Sequence, residues 1–239
     1  MRIDSHVCFS ERHPPEHLKA ILERNRFDGA ILVVDGPALP AAGPHILGMV
    51  VRSQSVDLRA LDQYQEQAAF RGICCSLERG IPAGTEDLAR RGIPLDVEMC
   101  SAQFPMLLRL AGRVPGLRLA IDHLASPGFR LGLTDEWTRG MESAARLPQV
   151  FCKISGLLSG LPAEGERLPR SAAPMRPFVE HALAVFGPER LMFGSEWPVR
   201  LPDVTWKESL AAFTQAIGAH SMEVREQLLG ETARRFYGI

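Results

Sequence analysis

Residues 190–199 read Arg190-Leu191-Met192-Phe193-Gly194-Ser195-Glu196-Trp197-Pro198-Val199, and this stretch decides the fold. The apolar run Leu191-Met192-Phe193 lies between Pro188 and Pro198. Its length and those breakers suit a buried strand and not a helix. The run opens at Gly194-Ser195 and presents Glu196 beside Trp197. A carboxylate at the carboxyl end of an apolar strand is costly unless it is paired, coordinated or chemically used. In a parallel α/β protein that end is where sites are built. The plain alternative is a Glu that reaches solvent.

Outward from this stretch the chain alternates strand and helix. Strands are expected over Met1–Phe9, Ala30–Val34, His45–Val51, Gly72–Leu77, Pro94–Cys100, Leu117–His123, Val150–Ile154 and Leu191–Gly194. Helical periodicity marks Pro14–Arg26, Asp57–Ala69, Thr85–Arg91, Gln103–Arg113, Asp135–Arg146, Met175–Phe186, Lys207–Ala219 and Met222–Phe236. Between Asp35 and Pro44 the sequence is rich in Pro, Gly and Ala, with no helical period where a helix is due. Eight short apolar strands with intervening helices predict an α/β fold, a single (β/α)8 TIM barrel, with residues 1–239 as one domain. The polar stretch Leu158–Ala173 follows the seventh strand and is expected to hang over the barrel mouth.

Composition narrows the function. The 239 residues are 46% hydrophobic with a net charge of −1, which excludes a disordered or fibrous chain. Lys and Arg are spread without a basic stripe, so neither nucleic acid nor an anionic membrane is an expected partner. No apolar run is long enough for a transmembrane helix. The first strand begins at about Arg2, leaving no room for a leader. Five cysteines, with Cys74 and Cys75 adjacent in an apolar run, read as reduced core thiols of a cytoplasmic protein. A small-molecule substrate is the expected partner, and association as a homo-oligomer is left open.

Candidates for chemistry lie at strand ends. His6 and Cys8 are two apart on the first strand and point the same way, making half a metal site, although Cys8 also suits a small buried hydrophobe. His123 follows an apolar strand, as Glu196 does. Imidazoles and a carboxylate converging in a barrel mouth suit zinc or manganese, or serve as a metal-free acid/base pair. Asp96 and Glu98 share a side of the fifth strand, as ligands or as paired charges. Arg71 and Lys153 could hold an anionic substrate. His13, His17, His45, His181 and His220 read as structural or exposed. No phosphate-binding Gly motif and no G-x-S-x-G elbow is present.

The segments IDSHVCF (3–9), LAIDHLASP (119–127), VFCKISGL (150–157), RLMFGSEWPV (190–199) and ARRFYGI (233–239) resemble the amidohydrolase superfamily. The resemblance is to the branch that includes sugar-acid lactonases and the pyrone dicarboxylate lactonase. It runs nearly the whole chain in family order. It implies a barrel that hydrolyses a lactone, with His6 and His123 at the site and Glu196 where the family has the Asp that activates water. It further implies one divalent metal held by His6, Cys8, His123 and Glu196, or metal-free chemistry. Arg71, Lys153 and Trp197 would bind substrate. Cys8 replaces the second His of the family's His-x-His, and Glu196 is longer than the family Asp by one bond, about 1.5 Å. A ligand-binding barrel without the reaction, or a metal-dependent decarboxylase, are the competing readings.

Overall fold

The structure is a computed structural model describing residues 1–239 apart from 11, 14, 37–42, 55–56, 130–131, 159–171 and 200–202. The stretch around Glu196 does contain a strand, β8 (Leu191–Phe193), paired in parallel with β7 (Val150–Ile154). The remaining strands are β1 (Ile3–Cys8), β2 (Gly29–Asp35), β3 (Ile46–Arg52), β4 (Phe70–Ser76), β5 (Leu95–Glu98) and β6 (Leu119–Ile121). All eight lie in one sheet in sequence order, each parallel to the next. The sheet curls until β8 meets β1. There the Glu196 N–H donates to the His6 carbonyl at 2.8 Å and the Cys8 N–H to the Trp197 carbonyl at 2.9 Å. Gly194 makes this approach possible, because a Cβ there would lie 2.7 Å from His6 Cβ. These eight parallel strands make the nearly closed TIM barrel that the sequence predicts.

Helices cover the outside: α1 (Pro15–Arg24), α2 (Leu58–Gln65), α3 (Thr85–Arg90), α4 (Phe104–Arg113), α5 (Asp135–Ala145), α6 (Arg176–Phe186) and α7 (Trp206–Ile217). Among the described residues no helix stands between β2 and β3, as the composition of 35–44 implies. The expected loop 158–173 falls almost wholly outside the described residues. No described helix is long and apolar enough to cross a membrane.

Two apolar layers result. The outer one joins strands to helices. The inner one fills the barrel with Ile3, Ile31, Val33, Val50, Cys74, Ala120, Phe151 and Met192. Ile3 is inside, yet Val7, four residues on, is outside; a register irregularity between Asp4 and Val7 reverses the phase of β1. That reversal leaves Asp4 facing the helix α7, where it accepts from Trp206 Nε1 at 2.7 Å, and turns His6 toward the barrel axis.

The last segment corrects the expected single helix over Met222–Phe236. It is α8 (Met222–Glu226), a wider turn at Gln227–Glu231, then α9 (Thr232–Tyr237). The break sets Ala233, Phe236 and Tyr237 into the inner layer, so the chain's end plugs the amino end of the barrel.

Candidate active site

Inward-facing positions two apart along each strand stack in layers. On β7 the inner residues are Phe151 and then Lys153. On β5, Asp96 comes first and Glu98 one layer higher. Lys153 and Asp96 are 0% and 1% exposed. The Lys153 ammonium lies 2.5 Å from Asp96 Oδ2 and 2.9 Å from Asp122 Oδ1. Tyr237 reaches up from the plug and donates to Asp96 Oδ2 at 2.7 Å. Burial opposes the Lys153 charge, but Asp122 and Asp96 overcome it and hold the amine protonated well above the usual lysine range. Burial likewise opposes ionisation of Asp122, and Lys153 and His6 outweigh it, keeping that carboxylate below its usual range. Asp96 is raised to about 6 by burial, with Lys153 pulling the other way.

His6 sits on this layer, with Nδ1 3.2 Å from Lys153 Nζ and 3.7 Å from Asp122 Oδ2. Its ring meets that of His123 edge-on, centroids 4.7 Å apart. His6 Nε2 is buried with no hydrogen-bond partner. Burial lowers the pKa of both imidazoles, with Lys153 adding to the effect on His6 and His6 adding to it on His123. Both rings are therefore neutral near pH 7.

His123 is not on a strand, as the expected Leu117–His123 strand would have it. β6 ends at Ile121, and residues 123–126 all take left-handed backbone, with φ of 52°, 54°, 58° and 43°. Such residues cost on the order of 1–2 kcal/mol each and need support from their surroundings. Ser155 supplies it by bonding His123 at both Nδ1 (2.9 Å) and the backbone N–H (3.3 Å). Buried Trp137 donates to the Leu124 carbonyl at 2.7 Å. Glu196 also has positive φ, 60°, and its Oε1 lies 3.8 Å from His123 Nε2. The Glu196 and His123 side chains are 14% and 17% exposed, the wet edge of an otherwise buried cluster.

His6, His123 and Glu196 thus converge at the carboxyl end of the barrel. Cys8 lies nearby without joining them. Burial, with Glu196 next, pushes its thiol up to about 12, so it stays neutral. Trp197 flanks Glu196, 7% exposed, with its ring edge-on to His13. It lines a depression beside Glu196 together with Leu157, Leu158, Val204 and Phe213. Two residues expected to bind substrate stand away from the Glu196–His123 edge. Arg71 is at the amino end of β4, where it donates to the Ala68 and Phe70 carbonyls. Lys153 is consumed by two carboxylates beneath the mouth.

Several residues of the site escaped the sequence reading. Asp122, next to His123, ends an apolar strand and could have been noticed on that ground. Ser155, Tyr237 and Arg52 carry no such local signal. Arg52 crosses the mouth between Glu98 (2.7 Å) and Asp35 (2.8 Å), so Glu98 is a paired charge, one of the two readings the sequence left open.

Among the described residues two groups could hold a divalent ion: Cys74, Glu98 and Asp122, whose Glu98 is paired with Arg52, and His6, Asp122 and His123, whose donor atoms lie within 4.8 Å of one another. Neither Cys8 nor Glu196 belongs to that group. The Lys153 ammonium already stands against two of its three members, at 2.9 and 3.2 Å. A second cation there would meet a full positive charge in a buried setting, where repulsion is weakly screened. His6, Asp122 and His123 as arranged therefore do not fit a divalent ion.

Comparison with known proteins bears on the chemistry. A family model described as amidohydrolase matches residues 5–239. The uncharacterized protein y4mH of Sinorhizobium fredii is 28% identical over 197 residues, 75% of this chain and 64% of that protein. The L-fucono-1,5-lactonase of Burkholderia ambifaria is 35% identical over 107 residues, 45% of this chain and 35% of that protein. The L-fucono-1,5-lactonase of Burkholderia multivorans is 28% identical over 205 residues, 82% and 68%. The chain thus spans less than two thirds of the length of the first two. A crystal structure of an amidohydrolase from Burkholderia multivorans with bound HEPES superposes with a TM-score of 0.82 at 22% identity, covering 100% of this chain and 99% of that one. The same protein with bound zinc gives 0.79 at 23%, with the same coverage. A 2,6-dihydroxybenzoate decarboxylase from Rhizobium gives 0.63 at 10%, covering 99% and 98%. At these identities the superpositions establish the fold.

Proposed function

The chain belongs to the amidohydrolase family, and on that premise we propose that it is a hydrolase that opens the lactone ring of a sugar acid or a carboxylated small molecule. The observation that carries this reading is the Glu196–His123 pair, partly exposed above a fully buried charged layer. An oxygen at ordinary hydrogen-bond length from both Glu196 Oε1 and His123 Nε2 fits astride their 3.8 Å separation. A water held there has a carboxylate to take its proton. Similarity to two L-fucono-1,5-lactonases supports a lactone as the substrate class.

Glu196 acts as general base while the water oxygen bonds to the lactone carbonyl carbon. The carbonyl electron pair moves onto its oxygen, where N–H groups of neutral imidazoles stabilise the developing charge. The carbonyl then re-forms and the ring C–O bond breaks. The proton held by Glu196 passes to the departing ring oxygen, giving a hydroxy acid. No step calls on a metal. Burial keeps His123 uncharged, so it does not tie up the Glu196 carboxylate as a full ion pair.

A panel of sugar-acid and carboxylated lactones tests the proposal. Turnover of at least one by wild type, reduced more than about 10²-fold in Glu196→Gln, is the expected result. Wild type that binds lactones without opening them would make this a ligand-binding barrel.

A further inference from the structure

Lys153 has a role at His6 that the ion-pair contacts alone do not express. An ammonium carries three N–H donors and no acceptor. Lys153 Nζ stands 2.9 Å from Asp122 Oδ1 as an ion pair without hydrogen-bond geometry, donates to Asp96 Oδ2 at 2.5 Å, and has His6 Nδ1 at 3.2 Å. For His6 the third contact is decisive, since its Nδ1 must offer a lone pair. The other neighbour of Nδ1, Asp122 Oδ2, is 3.7 Å away, beyond hydrogen-bond range. A neutral imidazole holds one ring proton, and with Nδ1 accepting, that proton sits on Nε2.

We infer that Lys153 is a positioning residue standing where a catalytic cation would otherwise stand: clasped by Asp96 and Asp122, it donates to His6 Nδ1, holds the ring proton on Nε2, and so makes His6 a hydrogen-bond donor and not a metal ligand. In metal sites the arrangement is the reverse. There the non-ligating nitrogen of a His donates its N–H to a carboxylate or carbonyl, which frees the lone pair of the other for the ion. Here the first nitrogen faces a donor, and the second, Nε2, is buried without any partner. A buried N–H left unpaired is costly, and that cost is recovered if a ligand oxygen takes it up. Use of that N–H on a lactone carbonyl rests on the proposed function. The tautomer and the exclusion of metal do not.

Wild-type protein labelled with ¹⁵N at histidine reads the tautomer directly in long-range ¹H–¹⁵N spectra, with His6→Gln assigning the signal. The expected result is proton on Nε2 of His6, with that signal unmoved by zinc chloride at several equivalents. Proton on Nδ1, or stoichiometric zinc bound at His6, would overturn the inference. Lys153→Met combined with Asp96→Asn removes one charge of each sign and exposes the predicted competition. Zinc affinity measured by calorimetry should rise at least about tenfold and fall back when His6→Gln is added, since a tenfold change corresponds to about 1.4 kcal/mol. A folded double variant with unchanged zinc affinity would contradict the substitution of ammonium for metal. Should that variant not fold, the wild-type spectra decide. Failure on every lactone, with proton on Nε2, would sink the lactonase reading and leave this one standing.

Discussion

At the scale of single residues, the site rests on neutral imidazoles held beside charged neighbours. Burial lowers the His6 and His123 pKa values below the ordinary histidine value of about 6.5, which favours the uncharged form of both rings. Because each pKa falls, the active neutral form survives as pH drops through 6.5. The acid limb of kcat/KM should therefore show no inflection at about 6.5; one at that value would mean that the imidazoles are not shielded as described. Cys8, with its thiol pushed up to about 12 and outside the ligand group, should tolerate Cys8→Ser with turnover changed by less than about fivefold, a surface-scale effect of no more than about 1 kcal/mol. A larger loss would assign the sulfur a part in the chemistry. His6, His123 and Glu196 were legible in the sequence because each interrupts or ends an apolar strand. Lys153 stood out only as a group that could hold an anionic substrate, and its buried carboxylate neighbours gave no local signal. Its partners lie on β5 and beyond β6, and one chain's sequence does not say which side chains share the barrel's interior.

Among elements, the strand pattern was legible because short apolar runs between Pro and Gly breakers have few other uses. The breaks were harder. The left-handed turn at 123–126 contains no Gly, and it is held by Ser155 and Trp137 from elsewhere in the chain. The terminal helix looked continuous over 222–236, but Gly230 passes against the Met1 carbonyl and Arg2 Cα with no room for a Cβ. That contact is formed with the far end of the chain, so local periodicity cannot reveal it. Gly230→Ala should destabilise the fold by about 1–3 kcal/mol through overpacking, read from denaturant unfolding. An unchanged midpoint would show that the plug does not depend on this approach. The shift should accompany loosening of Tyr237, which the same segment carries to Asp96.

For the whole molecule, buried carboxylates tie stability to pH. Asp4 is raised from 3.8 to about 6 by burial, against hydrogen bonds from Ser195, Trp206 and His6. Its folded pKa exceeds its unfolded one, so its contribution is fully present below about 3.8 and is lost as pH rises through 6. The difference corresponds to on the order of 3 kcal/mol. Asp96 acts with the same sign, while His6 and His123 act with the opposite sign below 6.5. Net profiles will partly cancel, so the isolating measurement is wild type against Asp4→Asn. Wild type should lose stability relative to the variant between pH 4 and 7; a constant difference would show that Asp4 does not titrate in that window. The same interior that imposes these shifts buries the Lys153 layer, above which Glu196 and His123 are partly exposed.

The most direct test of this arrangement is steady-state lactone hydrolysis by wild type and Glu196→Gln, both stripped of metal and verified by elemental analysis. The expected result is full turnover by metal-free wild type and a loss of more than about 10²-fold in Glu196→Gln at similar KM. Turnover that appears only when zinc or manganese is restored, or a Glu196→Gln variant that keeps near-normal kcat, would contradict it.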